Sequence, residues 1–498
     1  MEQGTDLGAS MPAWLLYPAT LLALCILVYP FYRNRSVIAR FALFALCFRY
    51  LASAYHDITF EASPVGLSWN ALGSSCVFLL GLLLIRSRHL LLKPLIPCYI
   101  MIGIVGMSGF VNRDIPGVVD VVVKFGYLGI ITISVYEGLS ALGERRMMNL
   151  LLWSAVIPVL FQVLSIIFGV VKAGEADGSS SYIGGYNHEA AFSIVLATCF
   201  VIACFASGLT VWLRAAILLV LLGGMVAANY RTTILAFAPL AFVQFNLDVL
   251  GRFPPRQRGL VGIGILTVSG LLALAAAWML RDRFTDLAVT LGNIDDLMKP
   301  QSEYTYDERL LLSTRPYIWS GYIYAWLDGG TRNHLLGFGP DSWMIAFPVY
   351  AHNTLVSQLY EYGVAGVGAI ILLWGTMLVC ALRLKRGPRG KLLAAHVSFL
   401  ILNMATMPHW MIEGDILYGI VCGYTLYLFH GPAAMPPAAR PSPAPWPTPR
   451  LLSAAPDPVP PGGRAPRPVP GGLVVPISPR SAPRASGQPP SRLRGTRR

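Results

Sequence analysis

Apolar runs of about 18 or more residues recur along this chain, each long enough to cross a bilayer core of about 30 Å as a helix. Thirteen such spans are expected, near 13–30, 37–54, 66–85, 94–110, 116–136, 147–171, 188–206, 211–228, 231–249, 259–280, 353–382, 391–408 and 413–430. A transmembrane barrel would instead show short alternating segments, and none are present. Composition agrees: 55% of residues are hydrophobic and 13% charged, where soluble domains carry about 25% charged residues. The expected fold is all-α, a polytopic transmembrane bundle of about 12–13 spans with one large outer loop. It divides into N-terminal transmembrane helices (1–280), the loop (281–352), C-terminal transmembrane helices (353–430) and a tail (431–498).

The net charge of +13 is concentrated in that tail, where ten Arg and one Asp stand among 20 of the 37 Pro. Such a segment buries too little apolar surface to offset its ordering entropy, so it is expected to be disordered and solvated. A contact with anionic lipid or a Pro-rich docking site are the functional alternatives. All eight cysteines lie inside expected spans with no CxxC pair, so neither disulfides nor a zinc site are expected. The opening residues, MEQGTDLGAS, lack the basic stretch of a signal peptide, so the first apolar segment is expected to remain as a helix.

Basic connections (Tyr32–Arg35, Arg86–Lys93, Glu144–Arg146, Arg214, Arg252–Arg258, Arg383–Lys391) alternate with weakly basic or acidic ones such as Tyr55–Pro64, Ala173–Asn187 and Met407–Asp415. Lys and Arg mark cytoplasmic loops, which puts the N-terminus outside and the tail inside. Residues 281–352, with nine acidic and six basic residues, then lie outside. They are too few for an independent catalytic domain and are expected to fold over a cavity between helices. Trp319, Tyr322, Ile323 and Trp326 recur at helical spacing, so a helix over 316–327 either lies flat at the interface or packs on its own loop.

Four cations break the charge pattern. Arg49 and Lys124 sit in the outer halves of the second and fifth spans, Arg231 at the outer tip of a tight hairpin, and Arg315 in the outer loop before Pro316. A charge within the membrane costs about 2.5–3.5 kcal/mol on insertion scales and faces a cavity or a partner. Asp57, Glu61 and Asp120 are candidate partners for Arg49 or Lys124. The alternative is an anionic ligand such as a polyprenyl diphosphate, whose oxygens match the guanidinium fork.

The outer loop ends at Ala351-His-Asn-Thr-Leu-Val-Ser-Gln-Leu-Tyr-Glu-Tyr-Gly-Val-Ala-Gly366. His352 is a base suited to neutral pH. Asn353 is placed to cap the next helix, whose N-terminus favours anions. The pattern HNx9GxxG (His352, Asn353, Gly363, Gly366) resembles the signature of the O-antigen ligase and O-antigen polymerase superfamily. Leu336-Gly-Phe-Gly-Pro-Asp-Ser-Trp343 resembles that family's Gly-rich turn, and Ser313-Thr-Arg-Pro-Tyr-Ile-Trp319 its loop arginine with Trp four residues on. Tyr230-Arg-Thr-Thr233 is similar to its hairpin arginine, and Gly184-Gly-Tyr-Asn-His-Glu-Ala190 to its Asn-bearing start of an earlier span. The likeness covers about 180–430. The ligases have roughly twelve spans, so thirteen spans and an outside N-terminus depart from their pattern.

The resemblance implies a metal-independent glycosyltransferase in a bacterial inner membrane that uses an undecaprenyl-diphosphate-linked glycan as donor and a lipid or saccharide as acceptor. No cofactor, metal or nucleic acid is implied, and membrane lipids are the remaining partner. His352 would take the proton from the attacking hydroxyl, while Arg231 and Arg315 would hold the diphosphate. Asn353, Arg49, Lys124 and Asn187 would line the substrate site, and Glu361 would stand behind His352 or serve packing. Asp295-Asp296 is read as a solvated pair rather than a metal site. A polymerase using the same chemistry is the near alternative. A flippase would need cations through the whole depth and often internal repeats, neither of which is seen.

Overall fold

The computed structural model describes residues 10–64, 66–173, 180–279 and 299–431. The Pro/Arg-rich tail and the Asp295-Asp296 pair lie outside them. Every expected span is a helix. In chain order these are α1 Ala13–Arg33, α2 Val37–Ala54, α3 Trp69–Leu84, α4 Ile96–Asn112, α5 Ile115–Leu142, α6 Glu144–Ile167 with a short 3₁₀ turn inside it, α7 Glu189–Phe205, α8 Val211–Ala227, α9 Arg231–Leu250 and α10 Arg258–Met279. After the outer loop, which holds α11 Arg315–Leu327, come α12 Thr354–Leu382, α13 Arg386–Ala405 and α14 Ile412–His430. Among the described residues, eight helices (α1, α2, α4, α5, α6, α9, α12 and α14) are long and apolar enough to cross a membrane, and α3, α7, α8 and Arg258–Val268 are shorter apolar helices. The chain is an all-helical, multi-pass membrane protein. A two-residue hairpin pairing, Lys172–Ala173 with Ser180–Ser181, is a minor addition.

Burial separates centre from perimeter. The apolar window of α14 is 83% buried and that of α1 only 33%. On α1, Leu21, Leu22 and Val28 are exposed on a helix that is apolar all round, as a lipid-facing surface requires. Exposed Trp14 and Tyr17 near one end and Tyr29 and Tyr32 near the other suit the two aromatic belts of a bilayer.

At the centre α14 packs directly on α5 through two glycines. A Cβ on Gly419 would meet Ile131 Cγ2 at 2.9 Å, and one on Gly423 would meet the Thr132 carbonyl oxygen at 2.5 Å. Small residues four apart let helix backbones approach closely in lipid. Replacing Gly423 with Leu should therefore force the two helices apart and cost at least about 1–3 kcal/mol. A melting temperature in detergent equal to that of the wild type would contradict this packing.

The connections sort to two ends. At one end the Arg86 backbone N–H donates to Glu137 at 2.9 Å and His89 meets the same carboxylate at 2.6 Å. Arg214 pairs with Asp248 at 2.6 Å, and Lys391 donates to the Cys204 carbonyl at 2.7 Å. These are three of the six basic connections of the sequence. The opposite end gathers the C-terminus of α2 and the N-termini of α5, α7, α12 and α14, and the outer loop packs against it.

The aromatic face of α11 packs on its own loop. Tyr322 is buried, stacks on Phe347 at 4.0 Å and donates to the Val349 carbonyl at 2.9 Å. Trp319 donates to the Ala351 carbonyl at 2.8 Å. Indole and phenol groups buried in this way need a hydrogen-bond partner, and the 349–351 backbone supplies both. Of the two alternatives, these contacts support packing on the loop.

Candidate functional site

His352 and Arg315 are brought together by two local arrangements. First, the Trp319 and Tyr322 hydrogen bonds strap α11 to the backbone just before His352. Arg315 is one turn from Trp319, so it shares the strapped face. Second, the Gly-rich turn docks backbone to backbone on α12. Phe338 and Gly339 donate to the Tyr360 and Glu361 carbonyls, both at 3.0 Å. Ser108 of α4 donates to the Leu336 and Glu361 carbonyls. That docking requires Gly363, which has φ +63° and whose Cβ would lie 2.5 Å from the Leu335 carbonyl. The separate glycine motifs of the sequence are the two halves of one contact.

His352 itself has φ +54°, a left-handed conformation that is uncommon for a non-glycine residue and recurs at functional sites. Its ring lies 4.0 Å from that of Tyr350, and Nδ1 is buried without a hydrogen-bond partner among the described residues. Burial, then the nearby Arg315 guanidinium and His188, push its pKa down to about 4. The imidazole is thus neutral at pH 7. Arg315 opens α11 at its first residue and forms no ion pair among the described residues. A guanidinium, a neutral imidazole and the N-termini of α11 and α12 therefore meet at one place, which favours an anion beside a proton acceptor.

Arg231 begins α9 and is exposed. Its neighbour Tyr230 is half-buried, and its phenol pKa is raised, chiefly by desolvation, with Tyr350 and Arg315 also acting on it. Arg231 thus belongs to the same end of the bundle, on its outside.

Arg49, Lys124 and Asn187 line one cavity of about 430 Å³ at this end, together with His188, Tyr350 and Trp410. The two cations have partners inside the protein. Arg49 forms a two-pronged pair with Glu413 of α14, Nε to Oε1 at 2.8 Å and a terminal nitrogen to Oε2 at 3.1 Å, and its other nitrogen donates to Asn70. Ser53 adds a bond to Glu413 at 2.5 Å. Lys124 contacts Asp120 at 2.5 Å and Asp341 at 3.9 Å. Burial lifts the Asp341 carboxyl above its ordinary range against the pull of Lys124. The expectation that Arg49 and Lys124 await an anionic ligand is corrected to this extent. Asp120 is the partner anticipated for Lys124, whereas Asp57 pairs with His56 at 3.0 Å.

Asn353 is engaged by the fold. Its amide oxygen accepts from Leu355 and Val356, and its NH₂ donates to the Met404 carbonyl. It is a cap, not a free substrate-binding group. Glu361 accepts from Ser357 at 2.8 Å and from the Asp341 N–H at 3.3 Å, which is a structural role. The sequence reasoning missed Glu413, Asn70, Asp341 and Trp410. Glu413 stood in an acidic outer connection, but nothing local linked it to a residue 364 positions earlier.

All eight cysteines are free, and no cluster of metal-ligating side chains occurs among the described residues. No family model and no curated protein matches the chain.

Proposed function

We propose that this protein is a glycosyltransferase at the non-cytoplasmic face of a bacterial inner membrane. It moves a glycan from an undecaprenyl-diphosphate carrier to an acceptor sugar in the manner of a ligase, with the N-terminus outside and the tail inside. The observation that supports it most is that Arg315 acts on a neutral His352, whose ring lies against Tyr350, a residue that lines the cavity. In the reaction the acceptor hydroxyl attacks the anomeric carbon and its proton passes to the His352 ring. The bond from the anomeric carbon to the phosphate oxygen breaks, leaving both electrons on the diphosphate. That leaving group gains charge in the transition state, where a fixed guanidinium acts differentially. Arg231, exposed at the same end, would meet the carrier's headgroup from the lipid side.

A deletion strain, with its surface polysaccharide and lipid-linked intermediates separated by size, tests the reading. Long chains stranded on the carrier are the expected result. Loss of long chains with one-unit product retained would make the protein a polymerase, and an unchanged polysaccharide would end the proposal.

The state of His352 is a separate prediction. Its pKa is depressed, so the imidazole stays neutral as pH falls until about 4. Removing the Arg315 charge with Arg315→Met should raise the midpoint toward the ordinary value of about 6.5, without reaching it because burial is the larger cause. A histidine ring titration by NMR, assigned by the signal lost in His352→Ala, measures this. A midpoint that stays put in Arg315→Met would contradict the placement of the guanidinium.

A further inference from the structure

We propose that the 430 Å³ cavity takes the uncharged sugar head of a membrane glycolipid acceptor, which enters from the bilayer over an apolar sill. This rests on the glycosyltransferase reading and adds where its acceptor sits.

The charges argue first. Arg49 faces Glu413 on two prongs and Asn70 on the third, while Lys124 faces Asp120 and Asp341. Two cations thus face two close carboxylates and a third near Lys124, so a diphosphate placed here would gain no net attraction and would displace existing bonds. Arg315, outside the cavity, lacks such a partner among the described residues. The anion-seeking group and the cavity are therefore different places.

The lining argues next. Ser53, Ser68, Ser75, Asn70 and Asn187 present hydroxyl and amide groups, which can both donate and accept, as a polyol requires. Tyr350 and Trp410 also line the cavity, stacked on each other with ring centroids 5.5 Å apart and an interplanar angle of 18°, so the aromatic pair adds a rigid border to the chamber. Tyr350 is also the ring against His352 at 4.0 Å. A sugar bordered by Tyr350 would therefore sit one ring away from the base.

The sill supplies the lipid part. Phe60, Leu67, Val119 and Met344 line the cavity and are each between 41% and 54% exposed. A largely apolar chamber that carries hydroxyl and amide groups behind an apolar, exposed rim matches a molecule with a sugar head and a hydrocarbon tail.

The test uses the full chain in lipid nanodiscs and two photoreactive probes with the same diazirine-bearing alkyl chain. One is a pool of alkyl glycosides with glucose, galactose and rhamnose heads, and the other is an alkyl phosphate. Cross-linked peptides are mapped by mass spectrometry. The glycosides should label residues 60–75 and 116–124 at least about tenfold more than the phosphate, a difference of about 1.4 kcal/mol, and inorganic pyrophosphate should not compete. Val119→Trp narrows the sill from a lipid-exposed position that leaves the core intact, and Ser75→Trp fills the chamber; each should abolish the labelling. Equal labelling by the phosphate, competition by pyrophosphate, absence of glycoside labelling, or labelling that survives both variants would overturn the proposal. None of these readouts needs turnover, so a labelled cavity in a protein without transferase activity would sink the enzyme reading alone.

Discussion

Replacing His352 with Ala is expected to lower the rate of glycan transfer by about 10²–10⁴-fold, the range for loss of a positioned general base. Arg315→Ala should cost about 10²–10³-fold by removing a fixed cation from the developing diphosphate charge. Arg315→Lys should recover only part of this, because an ammonium keeps the charge but not the planar fork. All three variants should insert and fold. Arg315 forms no ion pair among the described residues, and the fold at this point is held by Trp319, Tyr322 and the Gly-rich turn rather than by the imidazole. Transfer at wild-type rate in both alanine variants, measured in reconstituted membranes, would refute the assignment of both residues.

The second large effect is on stability. Glu413→Ala leaves the Arg49 guanidinium, 6% exposed, without its two-pronged partner. Breaking a buried pair from one side costs about 3–5 kcal/mol, because the remaining charge stays desolvated. Arg49→Met with Glu413→Leu removes both charges together and should lose much less than the two single variants summed. Thermal denaturation of the purified protein in detergent measures the cycle. Additive losses would mean that Arg49 and Glu413 do not form the pair described here, and Arg49 would return as a candidate ligand for an anion.

The sequence made the helices legible because apolar length and basic connections are local signals. Each expected span is a helix, and three of the basic connections of the sequence pair with helix ends. Boundaries moved where local chemistry intervened. The third span starts at Trp69, capped by Ser68, rather than near 66, and α6 carries a 3₁₀ turn at Trp153–Ala155. The Gly419 and Gly423 pair was visible in the sequence, yet its meaning needed the partner helix, since spacing alone does not say which backbone comes close.

The site was partly legible. Local motifs led to His352, Arg315 and the Gly363 region, and the structure supplies the reason for the glycines and for the tryptophan four residues after Arg315. Arg49 and Lys124 were recognised as cations needing a partner, which follows from the cost of a bare charge in a bilayer. Which partner each one has was hidden. The Arg49 carboxylate comes from the last helix and a Lys124 neighbour, Asp341, from the outer loop, and long-range pairing leaves no periodic trace. Asn353 looked like a ligand for the same reason that it is a good cap: its amide is set at a helix N-terminus.

Two subsites emerge at one end of the bundle. Arg315 and His352, with Arg231 outside them, form the place suited to a diphosphate and a proton. The charge-balanced cavity beside Tyr350 suits a neutral sugar. In the proposed reaction, separation of this kind would let the carrier's charge and the acceptor's hydroxyls be recognised by different groups.

The most direct test of the central claim is release of the carrier. Purified protein in liposomes would be given a polyprenyl-diphosphate-linked glycan and a glycolipid acceptor, and free polyprenyl diphosphate would be quantified by mass spectrometry. Acceptor-dependent release by the wild type, absent from the Arg315→Ala and His352→Ala double variant, is the predicted result. An intact donor after prolonged incubation with wild-type protein, or equal release by the double variant, would contradict it.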